Sequence, residues 1–482
     1  METQGQPAPG GAPLTTTLQR DQIGLLGATM QAITHISPAI AALFFTQFVI
    51  SLAGITAPLA YVAGFIIVLL LGSTLVQLSK HLPSAGGYYT YVSRAVSPRA
   101  GFLTSWMFIL YSPIAAGPVY AFFGFILQNE LNSQYNINIP FLWALSVVIF
   151  APVIAYMQIR GLKLSAKALV ITGGLEMLIV LALAVSGFIS PGPGGVTVSV
   201  FDPSKWLGFS SFALAVVFSV QGLTGWEAAA PLGEETTDPK RNVPLSVYLS
   251  IVIIGVYLVI VFWGVISGFG PNNVADIIND KELPALDLAR RLWGAGWILI
   301  LIAFLNSVIG NGLSTANVST RMWYSMARSG SFPKALAKTH PTHKTPVNAI
   351  LLQMCLSLGI GLIPGFAFGA DVSFFFVDGL ILVLGVTVVY LMANLAVFMF
   401  YRGEHKDEFN IFLHLIFPLI GSAVLIYAVY ASFFPTLPAQ PYVYAPLIDG
   451  VWLIIGIALL FYLKSRGQED WLLKAGEAIS EA

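Results

Sequence analysis

Four ionisable side chains interrupt otherwise apolar stretches of this chain: His35 in "ITHISPAI", Glu176 in "ITGGLEMLIV", Glu227 in "GLTGWEAAAP" and Asp378 in "SFFFVDGLIL". At the centre of a bilayer each would cost at least ~2.5 kcal/mol, so such groups mark pairing, proton movement or ligand binding. An imidazole ordinarily changes charge near neutral pH, which suits His35 to sensing protons or donating to an anion. Glu176 fits a proton carrier, a partner for His35, or a protonated contact between helices. Asp378, beside Phe374, Phe375 and Phe376, fits either an outer gate or a water-facing vestibule. The other histidines, His81, His340, His343, His405 and His414, show no metal-ligand spacing. "GGVTV" and "GGYYT" are glycine pairs without a phosphate-binding context, and no nucleophile, metal cluster or cofactor loop is recognisable. Enzymatic chemistry, a metal and a cofactor are therefore not expected.

These groups need elements to hold them, and composition says which. Of 482 residues 56% are hydrophobic and only 10% charged, with mean hydropathy +0.80. A soluble chain carries roughly a quarter charged residues. The apolar runs are continuous rather than alternating and about 20 residues long, enough to cross a ~30 Å hydrocarbon core as helices. The expected fold class is all-α and polytopic, with twelve transmembrane helices at about 22–52, 55–79, 99–128, 139–158, 164–189, 207–232, 244–269, 292–327, 346–364, 373–400, 410–434 and 443–463. Residues 1–20 are rich in Gly, Pro and Thr and read as a disordered tail, not a signal peptide; 465–482 read as a second tail. The lone Cys355 can form no intrachain disulfide.

The positive-inside rule orients the spans. With the N-terminus in the cytoplasm, 19 of the 23 Lys and Arg fall on the cytoplasmic side, Arg321 among them. Both termini are then cytoplasmic, in the cell membrane.

Two spans are broken at corresponding places. The first carries Thr34, His35, Ile36, Ser37 and Pro38; the sixth carries Gln221, Gly222, Leu223, Thr224 and Gly225, followed by Trp226 and Glu227. Backbone groups freed inside a membrane are tolerated only where they line a cavity or bind something. Breaks at positions one and six point to an inverted five-plus-five repeat, about 22–190 and 207–400, with two further helices at 410–463 and a substrate site at the breaks. Half-helix N-termini would face a carboxylate, and unwound carbonyls an ammonium.

Three stretches then carry a resemblance over nearly the whole chain. "LPSAGGYYTYVSRAVSPRAGFLTSW" (82–106), "GWEAAAPLGEETTDPKRNVP" (225–244) and "STRMWYSMARSGSFPKALAKTHPTHKTP" (319–346) resemble the amino acid/polyamine/organocation superfamily of secondary transporters. The resemblance implies a LeuT-like fold in which helices 1, 2, 6 and 7 rock against 3, 4, 8 and 9. It implies transport of an amino acid or amine by alternating access, and a structural role for Glu227. This chain departs from relatives that have a Gly-Ser/Ala-Gly run at the first break. It also has Leu223 where an aromatic ring often closes the site, leaving Trp226 as a gate nearby or as bundle packing.

A fifth-helix lysine stands in for sodium in proton-coupled relatives, and Glu176 cannot copy that cation. A sodium site would draw on Ser314, Thr315 and Ser319; His35 and Glu176 favour protons as the coupling ion. The small, Pro/Gly-rich "YSPIAAGPVY" of the third helix leaves room for an apolar side chain, so import of a neutral or mildly hydrophobic amino acid is expected first. A polyamine or other amine, or amino acid exchange, comes second, and a substrate-sensing receptor on the same scaffold is the reading from another class. Expected partners are the small solute and the lipid bilayer, not nucleic acid; the sequence sets no oligomeric state.

Overall fold

The structure, a computed structural model, describes residues 17–279, 283–434, 437–467 and 469–477. Most of the expected N-terminal tail and the last five residues lie outside the described residues. Among those described, helices dominate, and the only strand pairing is an isolated bridge between Ile23 and Thr236.

Among the described residues eleven helical runs are long and apolar enough to cross a membrane, so the chain is a multi-pass membrane protein. The first run, Leu25–His81, has 57 residues. At about 1.5 Å per residue it would be far longer than a ~30 Å core, and it is interrupted twice. It comprises α1 (Leu25–Ile36), α2 (Pro38–Ala53), a 3₁₀ turn and α3 (Ala57–His81). Then follow α4 (Tyr88–Ala95), α5 (Pro98–Tyr135), α6 (Leu142–Ile159), α7 (Leu162–Ile189) and α8 (Phe209–Gly222). A 3₁₀ stretch, Trp226–Glu235, leads to α9 (Pro239–Phe269), α10 (Val274–Asn279), α11 (Pro284–Trp293) and α12 (Ile298–Ser329). The chain closes with α13 (Val347–Phe368), α14 (Ala370–Phe374), α15 (Leu382–Gly403), α16 (Phe417–Phe433) and α17 (Ala445–Ser465).

The helices pack in two groups. Helix α3 lies along α9 and α8, and α8 along α2. Helix α5 packs against α6, α12 and α13, while α7 touches both α9 and α12. Helix α12 runs through to Ser329, and Arg321, counted above on the cytoplasmic side and within the expected eighth span, is a fully buried side chain inside the bundle.

The first break follows from local chemistry. Proline disfavours the α conformation in the residue before it, and Ser37 precedes Pro38. Ser37 adopts the left-handed conformation (φ 61°, ψ 73°) and ends α1. Its N–H bonds to Ile33 O at 3.1 Å and its hydroxyl to Thr34 O at 3.1 Å, which offsets the strain of that conformation. Pro38, with fixed φ and no N–H, then opens α2. The second break lies at Leu223–Gly225, and a third irregularity, a π-helical turn at Phe375–Ile381, contains Asp378. Such turns recur at functional sites.

Candidate functional site

The two breaks meet. Gly225 has φ +128°, and a Cβ there would stand 2.8 Å from Ile36 N and 3.0 Å from His35 C. A cavity of about 530 Å³ opens against this junction, within the usual size of a small-molecule site. Among the expected site residues, His35, Ile36, Ser37, Gln221, Thr224, Gly225, Glu227, Phe375 and Asp378 line it. Asn311 of α12 and Tyr111 of α5 complete its polar wall, and Phe44, Phe45, Phe48 and Phe218 its apolar one.

Other expected residues stand behind the wall. The Thr34 hydroxyl bonds back to Met30 O at 2.7 Å, and Leu223 is 1% exposed. Pro38 is buried at the start of α2, and Gly222 packs where a Cβ would meet Tyr61 and Phe45. The Trp226 ring packs on Tyr390, centroids 5.0 Å apart, in keeping with bundle packing. Glu176 is fully buried and does not pair with His35; its Oε2 accepts the Ala39 N–H at 3.2 Å. Ser314 donates to Asn311 O at 3.1 Å, and Ser319 to Thr315 O at 2.8 Å; the Thr315 hydroxyl is buried with no partner among the described residues.

Glu227 is 1% exposed and held by two phenols, Tyr111 at 3.2 Å and Tyr390 at 2.8 Å. Losing one hydrogen bond to a buried charged group costs about 1.5–3 kcal/mol. Tyr390→Phe should lower the thermal midpoint of the purified protein by a corresponding amount; an unchanged midpoint would show that Tyr390 does not serve the carboxylate. The Asp378 carboxylate is different. Both its oxygens are buried and have no partner among the described residues, on a residue that lines the cavity.

Asn311 was invisible as a site residue because an amide mid-span reads as ordinary helix polarity; its place in "IGNGLST", between two glycines, was the available signal. Its Nδ2 donates to His35 O at 3.2 Å and to Ser37 Oγ at 2.9 Å, capping the carbonyl that the first break releases.

Toward the α12 C-terminus a buried polar chain continues. Gln31 Nε2 donates to Ser314 O (2.9 Å), Asn317 Nδ2 to Gln31 Oε1 (3.0 Å), and Gln158 Nε2 to Asn317 Oδ1 (3.1 Å). Arg321 Nε and Nη2 then clasp Glu235 at 2.8 and 3.2 Å. Far from the cavity, His81, His405 and Glu408 come together although 324 residues separate the two histidines; His81 Nε2 is 3.3 Å and His405 Nδ1 3.1 Å from the carboxylate. Spacing along the chain had shown no such partner. This is the one group among the described residues with metal-ligand atom types within reach of one another.

The chain matches the amino acid permease family profile over residues 27–471. It is similar to the serine/threonine exchanger SteT of Bacillus subtilis, 25% identical over 76% of this chain and 80% of that one. It is similar to the low-affinity putrescine importer PlaP of Escherichia coli, 27% identical over 74% and 80%. The branched-chain amino acid permease BcaP of Bacillus subtilis is 24% identical over 56% and 59%.

Proposed function

The chain belongs to the amino acid permease family, and from that premise we propose that it carries a small solute with an ammonium head and an apolar body, a neutral amino acid or an amine, by alternating access. Transport rather than catalysis is the family's activity. One observation carries the reading: a cavity lined by both helix breaks, with a carboxylate, Asp378, that has no partner among the described residues, and with aromatic rings around it. The substrates for which the similar proteins are named, serine and threonine, putrescine and branched-chain amino acids, have an ammonium group in common.

The first run divides at Gly54–Thr56 into two crossings, giving twelve in all, with both termini in the cytoplasm of a cell-membrane protein. The group of α2, α3, α8 and α9 rocks against that of α5, α6, α12 and α13, and the grouping of their contacts supports this. The coupling ion is a proton rather than sodium. Supporting this, the His35 carbonyl that would help hold a cation is already capped by the Asn311 amide. Glu176, buried beside the first break with Oε1 unpartnered among the described residues, is the proton carrier.

Uptake into proteoliposomes under imposed pH or sodium gradients tests both parts. Saturable uptake that follows the pH gradient is expected, and uptake that ignores pH but tracks sodium would overturn the proton assignment. Glu176→Gln should abolish gradient-driven accumulation while sparing exchange of internal for external solute. Full accumulation by that variant would remove Glu176 as the coupling group.

A further inference from the structure

The hydrogen-bonding groups at the breaks specify the solute further. Every backbone N–H at the start of α2 is absent or occupied. Ser37 N–H bonds to Ile33 O, Pro38 has none, and Ala41 N–H bonds to Ser37 O at 2.8 Å. Ala39 N–H goes to Glu176 Oε2 at 3.2 Å and Ile40 N–H to Ser307 Oγ at 3.4 Å. A helix N-terminus attracts an anion through these free N–H groups and its partial positive charge. Here α7 already supplies that anion.

The second break also holds a carboxylate of the chain: Glu227 receives the Tyr111 and Tyr390 hydroxyls.

Of the lining side-chain atoms that are buried and without a partner among the described residues, three are acceptor oxygens: Asp378 Oδ1 and Oδ2, and Asn311 Oδ1, on a residue only 8% exposed. Because the Asn311 nitrogen serves His35 O and Ser37 Oγ, its oxygen is the atom left free. His35 Nδ1 is the one other buried polar atom without a partner there. Among the described residues the lining contains no Lys or Arg. Its aromatic rings, Phe44, Phe45, Phe48, Phe218 and Phe375, present faces that attract a cation and surfaces that accept hydrocarbon.

Resting on the transporter reading above, we propose that the solute is a primary amine with an apolar body and no carboxylate, because Glu176, behind the cavity wall, already takes the α2 N-terminal N–H that the carboxylate of an amino acid would need. The ammonium sits against Asp378 and Asn311 Oδ1, and the hydrocarbon lies among the phenylalanine rings. An amino acid entering the same way must either displace Glu176 from Ala39 or bring its carboxylate into a cavity that already holds Asp378 and Glu227. Like charges sharing a desolvated site repel strongly, so either route weakens binding.

Matched pairs that differ only by the carboxylate test this: isopentylamine against leucine, and phenethylamine against phenylalanine. Binding is measured by calorimetry on the purified, detergent-solubilised full chain, apart from any transport assay. Each amine should bind at least tenfold tighter than its amino acid. Asp378→Asn should weaken isopentylamine at least tenfold, and Glu176→Ala, which frees the Ala39 N–H, should strengthen leucine at least tenfold relative to isopentylamine. Leucine or phenylalanine binding the wild-type protein as tightly as its amine would overturn the proposal, and this comparison needs no variant to fold. Saturable uptake of amino acids without amine binding would defeat the inference and leave the transporter reading intact. Amine binding without uptake of any solute would defeat the transporter reading and leave the ligand class standing.

Discussion

Arg321→Ala should destabilise the protein by about 3–5 kcal/mol, the usual cost of leaving one member of a buried ion pair uncompensated. The Arg321 side chain is 0% exposed and that of Glu235 2%, so water cannot replace the lost partner. The geometry is two-pronged, Nε to Oε2 at 2.8 Å and Nη2 to Oε1 at 3.2 Å. The guanidinium also reaches Thr320 Oγ1 at 3.2 Å and Asn317 Oδ1 at 3.4 Å, which joins it to the Gln31–Asn317–Gln158 chain. Removing the arginine therefore strands a carboxylate and disturbs a shared network, in which effects of single changes do not add. Denaturation of the purified protein should show the full loss for Arg321→Ala. The double variant Arg321→Met/Glu235→Leu, which removes both charges, should recover much of it. A single variant within 1 kcal/mol of the wild type, a threshold well below the range for broken buried pairs, would show that water reaches this pair. The pair also ties the 3₁₀ stretch after the second break to α12, so any opening at this end of the bundle must separate it.

Gly225→Ala should abolish saturable uptake, with kcat/KM reduced by about a hundredfold or more, as expected when a positioning contact shifts by about an ångström. Two separate costs act at this residue. Its φ of +128° is closed to side-chain-bearing residues, and the new Cβ would press on backbone atoms, Ile36 N at 2.8 Å and His35 C at 3.0 Å. Backbone cannot rotate aside as a flexible side chain can, so the two breaks must part. That moves His35, Ser37 and Thr224 relative to one another along the cavity wall. Gly450→Ala is the control, because a Cβ there meets nothing within 4 Å and uptake should match the wild type. Wild-type uptake by Gly225→Ala would mean that the contact between the breaks plays no part in transport.

The distance between what the chain announced and what the fold added differs residue by residue. "THISP" declares its break locally, because a residue before proline avoids the α conformation and proline brings no N–H. The Gly222 and Gly225 pair declares the other break in the same way. Asp378 and Glu227 stand out because a charge in an apolar run has few reasons to be there. By contrast, nothing near Arg321 in sequence distinguishes it from Arg328 seven residues on, a partly exposed side chain paired with Glu234. Positive-inside counting assigned both alike to the cytoplasmic side. The buried one is recognised only by Glu235, 86 residues earlier.

The sequence by itself determined that this is a helical, many-span membrane protein with two broken spans and a small set of intramembrane charges, and it pointed to the transporter family. These properties rest on composition, on runs of about 20 apolar residues and on proline and glycine acting on their immediate neighbours, all of which are local. Tertiary structure alone decided which groups are spent on one another and which have no partner among the described residues. Glu176 meets Ala39 across 137 residues, and Asn311 meets Ser37 across 274. Hydrogen bonds and charge pairs act over a few ångströms, so only the packed bundle shows that the α2 N-terminus is already filled and that Asp378 lines the cavity without a partner among the described residues.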